Sequence, residues 1–569
     1  MQENKRKQQS FQYGAMILLC STILVKIIGA IFKIPLSNLI GDVGFGYFDS
    51  AYQLFTPIYT LAMAGLPIAI SRVVAERMQQ QRYRDVRKSL RVTQRIFLIT
   101  GLTGFVIMLL LIYPFVHFTD ATGKTIYSLF AIAPSLLFCC IMSAYRGYYE
   151  GLRNMYPTAA SDVIESLGKL ILGYGFAFII MRITDDVALA AAGAMLGIMV
   201  GGAASATFLV LRYKIKGDGI TKEELETAPK PDSSKTIAKT IIAIAIPVVL
   251  ASLANSVSSL VDVSLVKWQL TNMMDKHADT IRNIYDASIK NYNFIQFKNG
   301  RELLTNAEIP TFLYGIRGKA FTLYNLVPTI TSVLGVSALP VLTSCWAKGE
   351  GDKTLVKRNM ESTLKFTALI AMPVGFGFLF LGPQIMELMY NTKASVEIGG
   401  VMLRIYGVAA MFAGLAIPMI SMLQAIGKEK VSLRNVAIGA ALKVIVNFIF
   451  VGMPNINIKG AAIGTCVSYC FIFIANLLSL IKYTGVMPNI YKTIAKPVIA
   501  ALCCGIMALA SGFVFGGFGG IGTILQIAVA AIVYFVVLIV LNTFEEDDFA
   551  SLPKGDKILN ILKKLKVIR

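Results

Sequence analysis

Three lysines stand inside apolar stretches of this chain: Lys26 in CSTILVKIIGAIF, Lys169 in ESLGKLILGYG and Lys443 in GAALKVIVNFIF. An isolated ammonium group in such a setting binds anions and makes no bonds of its own. Asp162, Glu165 and Lys169 fall at i, i+3 and i+7, so a helix would carry all three on one face. Further charges lie within or at the ends of apolar runs: Lys33, Asp49, Asp262, Arg317, Lys319 and Arg404. Bond-making chemistry has few candidates. The two histidines, His117 and His277, are far apart, and the eight cysteines contain no C-x-x-C pair. A His-based catalytic site, a metal centre and a disulfide framework are therefore not expected. No nucleotide-binding glycine fingerprint is present, and GGFGG at Gly516 reads as a loop.

The elements that carry these charges follow from composition. Of the 569 residues, 55% are apolar and 15% charged, and the mean hydropathy is +0.65. Soluble domains carry about 25% charged residues, so this chain needs lipid to cover its apolar surface. A spanning helix takes about 20 apolar residues. Fourteen such segments are expected, near 12–34, 46–71, 94–116, 126–146, 158–182, 187–211, 239–264, 313–344, 364–390, 398–424, 433–453, 458–481, 492–515 and 519–542. A charge at bilayer depth costs about 2.5–3.5 kcal/mol on insertion scales. Lys26 lies roughly 22 Å along the first segment, counted at the α-helical rise. It and the other two lysines are therefore expected to line a polar cavity with net positive charge. For Lys169 a second arrangement is open, pairing with Glu165. For Lys33, Asp262 and Lys267 snorkelling to the outer surface is equally open.

The net charge of +21 gathers in alternate gaps between the apolar runs. Arg77, Arg82, Arg84, Arg87, Lys88 and Arg91 fill one, and Arg212, Lys214, Lys216, Lys222 and Lys230 another. This is an orientation signal and not a nucleic-acid surface, and it places both termini in the cytoplasm. The segment Lys267–Pro310 is a long external loop with room for a short helix. The tail PKGDKILNILKKLKVIR reads either as an interfacial helix or as a frayed basic end.

The chain also repeats. AYQLFTPI at Ala51 matches LYNLVPTI at Leu323, AGLPIAIS at Ala64 matches SALPVLTS at Ser337, and Lys169 matches Lys443, all 272–274 residues apart. Each repeat holds six segments, an even number, so the two are parallel. The expected fold is all-α: a polytopic membrane protein of 14 transmembrane helices, in two six-helix bundles plus two extra C-terminal helices. The bundles are assigned to 1–237 and 238–484, and the extra helices with the basic tail to 485–569. Matched prolines, Pro57 with Pro328 and Pro67 with Pro340, suit either bending or plain packing.

YRGYYEGLRNMYPTAASDVIE, from Tyr145, resembles the signature that follows the fourth span in polysaccharide and lipid-linked-oligosaccharide flippases. With GLPIAISRVVAE at Gly65 and LGVSALPVLTS at Leu334, the whole chain resembles the stage V sporulation protein B family. That family is related to the lipid II flippases of the multidrug/oligosaccharidyl-lipid/polysaccharide exporter superfamily. The resemblance implies a V-shaped pair of bundles with a central cationic cavity for a diphosphate-sugar head group. It implies a groove for the undecaprenyl tail at segments 13 and 14, a bacterial cell membrane location, and no cofactor, with membrane potential or an ion gradient as energy source. The implied partners are a lipid-linked anionic oligosaccharide, membrane lipids and cell-wall synthesis proteins. The implied activity is leaflet exchange of lipid II or a related glycan, in wall growth or sporulation, and not enzymatic turnover. The family's cavity arginines on spans one, two and eight have here Lys26 and Lys33 on the first span, Thr56 and Pro57 on the second, and Arg317 and Lys319 about a turn before the site on the eighth. Substrate contacts are therefore expected at Lys26, Lys33, Asp49, Lys169, Arg317, Lys319, Arg404 and Lys443, with Asp162 and Glu165 at the cavity entrance. An ion-coupled drug or cation exporter on the same fold is the alternative; it would need acids to dominate the cavity.

Overall fold

The structure, a computed structural model, describes residues 11–543 except 64, 299, 348–352 and 391. The basic start (Lys5, Arg6, Lys7), Lys348 and the amphipathic tail lie outside the described residues. Among the described residues every regular element is helical. The helices are α1 (Phe11–Met63), α2 (Leu66–Gln79), α3 (Tyr83–Thr119), α4 (Thr125–Ile132), α5 (Ser135–Gly151), α6 (Tyr156–Gly168), α7 (Tyr174–Thr184), α8 (Val187–Lys216), α9 (Lys222–Thr227) and α10 (Ser234–Ile284). They continue as α11 (Asp286–Lys298), α12 (Ile309–Tyr324), α13 (Leu326–Ala347), α14 (Lys353–Met389), α15 (Gly400–Ala425), α16 (Glu429–Val451), α17 (Lys459–Thr484), α18 (Lys496–Phe515) and α19 (Gly519–Val540).

Helix is dictated by the solvent. In lipid, a backbone that cannot pair within its own segment leaves costly unpaired groups. Eleven described stretches are long and apolar enough to cross a membrane. Two of them, Cys20–Gln79 and Tyr491–Val540, each contain two of the expected segments. Leu98, Leu102, Val106 and Leu110 of α3 are exposed along its length, which suits a lipid-facing helix. The segment expected as a long loop with a short helix is helical over much of its length: the 51-residue α10 runs to Ile284 and α11 follows.

Glycines set the breaks and the close approaches. Within α1, Gly41 has φ 71 and ψ −171, which separates the first two expected segments. Gly65, at φ 78, then breaks the second before α2. Both conformations cost an L-residue with a Cβ. Elsewhere small residues let backbones touch, as in many membrane helix pairs. A Cβ at Gly197 of α8 would lie 2.3 Å from Gly173, and one at Gly407 of α15 would lie 2.5 Å from the Gly375 carbonyl of α14.

The described chain forms two compact units. One comprises residues 1–271 and 305–315, the other 272–304 and 316–569. The divisions fall inside α10, between α11 and α12, and inside α12.

Candidate functional site

The charges of the first unit converge on α6. Its residues 161, 162 and 165 face α5, and a π-helical turn, Lys169–Gly173, links it to α7. Arg146, about two-thirds of the way along α5, reaches across. Its Nη1 meets Asp162 Oδ1 at 2.8 Å and its Nη2 meets Glu165 Oε2 at 3.1 Å. Its Nε donates to Ser161 Oγ at 2.8 Å, and Nη2 also lies 3.4 Å from Ser205 Oγ on α8. Glu165 is shared: its Oε1 is 2.9 Å from Lys169 Nζ. Arg146, Lys169, Asp162 and Glu165 thus form one ion-paired cluster, with Glu150 beside Asp162 and Arg146 and Tyr59 of α1 beside Arg146 and Glu165. Lys169 adopts the second of its two expected arrangements, pairing with Glu165. The net positive charge expected around it is absent from this cluster.

Arg146 is the member that spacing did not reveal. It lies 19 residues before Glu165 in a stretch that reads as a polar gap. The available signal was its position one residue after a run of buried α5 positions, Met142 to Tyr145.

The remaining expected residues are dispersed. Lys33 pairs with Asp49 at 3.6 Å and lies 4.9 Å over the Tyr52 ring, so these two do come together. Asp49 is buried. Lys26 is exposed on α1. In the second unit Arg317 is buried, its guanidinium 5.0 Å above Phe321 in a cluster with Tyr324 and Tyr406. Lys319 is buried too and donates to Ser395 Oγ at 3.1 Å. Both are inside the protein and do not snorkel. Arg404 is exposed on α15, and Lys443 is half-buried on α16.

At the other end of the first unit Lys267 is fully buried above the Tyr314 ring, which excludes snorkelling for it; Asp262 is buried as well. Burial alone would raise the nearby Asp120, but Lys267 and hydrogen bonds from Thr122 and Thr125 hold it below the usual carboxylate range. Lys124 pairs with Glu308 at 3.3 Å.

The basic gap before α3 does more than signal orientation. Arg77 and Arg82 both bind Asp85 and Asp232, and the Asp232 N–H donates to Asp85 Oδ1 at 2.7 Å. Arg87 grips Asp218 with two nitrogens, at 2.8 and 3.0 Å, and the Tyr148 hydroxyl donates to the same carboxylate. Bidentate guanidinium–carboxylate pairs of this kind fix geometry as well as charge. They tie the segment 217–233 onto the start of α3.

Comparison with known proteins fits this architecture. A family model described as polysaccharide biosynthesis protein matches residues 12–273, and one described as lipid II flippase MurJ matches 323–529. Stage V sporulation protein B of Bacillus subtilis is 24% identical over 555 residues, covering 96% of this chain and 98% of that protein. The lipid II flippase MurJ of the same organism is 22% identical, with 87% of each chain covered. Along nearly its whole length the chain resembles polysaccharide-biosynthesis and lipid II flippase membrane proteins. Solved structures agree on the fold. The inward closed conformation of a lipid II flippase MurJ superposes with a TM-score of 0.63, at 14% identity, over 92% of this chain and 98% of that one. An inward-facing multidrug resistance MATE transporter gives 0.59, at 15% identity, over 82% of this chain and 98% of that one.

The family match also sorts the site residues. Lys26, Lys33, Asp49, Arg146 and the α6 charges lie inside the first matched stretch. Arg404 and Lys443 lie inside the second, and Arg317 and Lys319 fall between the two.

Proposed function

We propose that this protein is a flippase for an undecaprenyl-diphosphate-linked glycan, foremost the peptidoglycan precursor lipid II, moving it from the inner to the outer leaflet by alternating access. The observation that carries this reading is the near end-to-end match to stage V sporulation protein B, joined by the match to lipid II flippase MurJ. Basic side chains within the apolar helices support an anionic cargo. Lys26, Lys33 with Asp49, Lys169, Arg317, Lys319, Arg404 and Lys443 are the proposed contacts to the diphosphate-sugar head group, with Asp162 and Glu165 at the entrance. The protein acts as a transporter and not an enzyme. Membrane potential or an ion gradient supplies the work, and cell-wall synthesis proteins are the proposed partners. Fourteen spans with both termini in the cytoplasm follow from the alternation of basic gaps. The site is in a bacterial cell membrane.

The likeness to a MATE transporter favours one other reading, an ion-coupled exporter of cationic drugs. Leaflet accessibility separates them. In a strain dependent on this protein, depletion should trap lipid II in the inner leaflet, and Lys26→Ala should reproduce part of that block. Normal lipid II exposure after depletion, with loss of drug efflux, would establish the exporter instead.

A further inference from the structure

The two cations of the α5–α6 cluster are not equivalent. Arg146 has spent its donors on the protein: Nε on Ser161, Nη1 on Asp162, Nη2 on Glu165 and Ser205. Its partners come from two other helices, and its side chain is only 13% exposed. Lys169 carries three N–H groups and gives one to Glu165. Tyr52, Glu165 and Cys139 are its polar neighbours, and its side chain keeps 25% exposure. Lys169 also opens the π-helical turn, the one place where α6 and α7 depart from regular winding. Such turns widen a helix and free its local hydrogen bonding.

We infer that Arg146 is a positioning residue for anion capture by Lys169. Glu165 is held between them, one oxygen to each. An anionic oxygen arriving at Lys169 takes over the ammonium, and Glu165 passes wholly to Arg146 and Asp162's side of the cluster. Without Arg146, Glu165 would close on Lys169 alone, and Lys169 would be the one cation left among Asp162, Glu165 and Glu150. It would then repel the ligand it is built to receive. The ligand is an oxyanion of the diphosphate class, so the inference rests on the flippase reading.

The test uses the full chain in phosphatidylglycerol/phosphatidylethanolamine vesicles, with lipid II as probe and its half-saturating mole fraction and maximal flipping rate as readouts. Arg146→Gln should raise the half-saturating fraction about tenfold, the effect of losing a hydrogen bond to a charged group, with the maximal rate changed much less. Adding Glu165→Gln should bring it back towards wild type, because the carboxylate paired directly with Lys169 is then neutral and the ammonium is released. A double variant no better than the single, or a single variant that loses rate but not apparent affinity, overturns the inference and leaves the flippase reading intact. Should Arg146→Gln fail to fold, Arg146→Lys, with its charge kept and its fork lost, should show a smaller rise that Glu165→Gln again reverses; no rise in that variant also overturns it. Wild-type vesicles that do not flip lipid II defeat the flippase reading and the inference with it.

Discussion

The two repeats put different chemistry at matching places. Counting 274 residues on from Lys169 reaches Lys443, but the same step takes Glu165 to Gly439, Asp162 to Val436 and Arg146 to Ile420. Ser161 and Ser205 become Asn435 and Ser479. In the first unit Ser205 Oγ donates to the Ser161 carbonyl at 2.8 Å; in the second, Asn435 Nδ2 donates to Ser479 Oγ at 3.1 Å and to Asn476 Oδ1 at 3.0 Å. The helix-to-helix contact is kept, now through an amide in place of Ser161, while the ions other than the lysine are replaced by apolar residues and glycine. α16 also runs through Lys443 without a π-helical turn. At these matching places the two repeats keep the packing and differ in their electrostatics.

The largest test of that contrast is removal of the cluster's hub. Arg146→Leu should cost about 3–5 kcal/mol, because Asp162 loses its paired cation and Glu165 one of its two. Asn435→Leu at the matching contact should cost only about 1 kcal/mol, typical of an interhelical hydrogen bond in a membrane protein. Equilibrium unfolding in mixed detergent reads both, and equal losses would break the comparison.

Packing comes next. Gly197→Ala sets a methyl 2.3 Å from Gly173 and should cost about 1–3 kcal/mol by overpacking. Gly175→Ala, two residues beyond Gly173 and with nothing within 4 Å, should gain roughly 0.5–1 kcal/mol from helix propensity. The same unfolding assay should show opposite signs.

The breaks differ too. The first repeat breaks at Gly65, whereas the matching Ala338 lies inside the continuous α13. The second repeat instead interrupts at Asn325, between α12 and α13. Gly65→Ala should destabilise by about 1–2 kcal/mol, the cost of a Cβ at positive φ. Ala338→Gly should lose about 1 kcal/mol as an interior helix position.

The smallest effect is one of pH. Burial alone would raise Asp218, but the Arg87 guanidinium, the Ile220 N–H and the Tyr148 hydroxyl hold it below the usual range. A lowered folded value contributes stability that is complete above the unfolded value, about 4. It is lost as pH falls through the lower folded value. Thermal midpoints of the wild type should therefore fall more steeply below about pH 4 than those of Asp218→Asn. The second unit offers a reference, since its counterpart loop is held by the Asn489 N–H donating to Glu361 Oε1 at 2.6 Å.

Hydropathy made the membrane class legible, whereas the break at Gly65 falls inside the expected segment 46–71 and shows only in the backbone. Helical spacing also revealed the Lys169–Glu165 pair, because i and i+4 are neighbours whatever the fold. Arg146 stayed hidden because its partners lie on two other helices, 15 to 59 residues away. The basic gap was read as an orientation signal alone for the same reason: Asp218 and Asp232 sit 131 to 155 residues from the arginines they bind. Lys33 and Asp49 face each other only because the chain turns at Gly41 between them.

The Asp85–Asp232 clasp has a consequence for biogenesis. Its two ends are 147 residues apart. At synthesis rates of about 5–20 residues per second, Asp232 emerges roughly 7–30 s after Asp85. Until the chain through α8 is in place, Arg77 and Arg82 have only Asp85 to share. The nascent first half therefore stays open at that end, with its own ribosome setting the delay, and latches as a unit only when the chain entering α10 arrives.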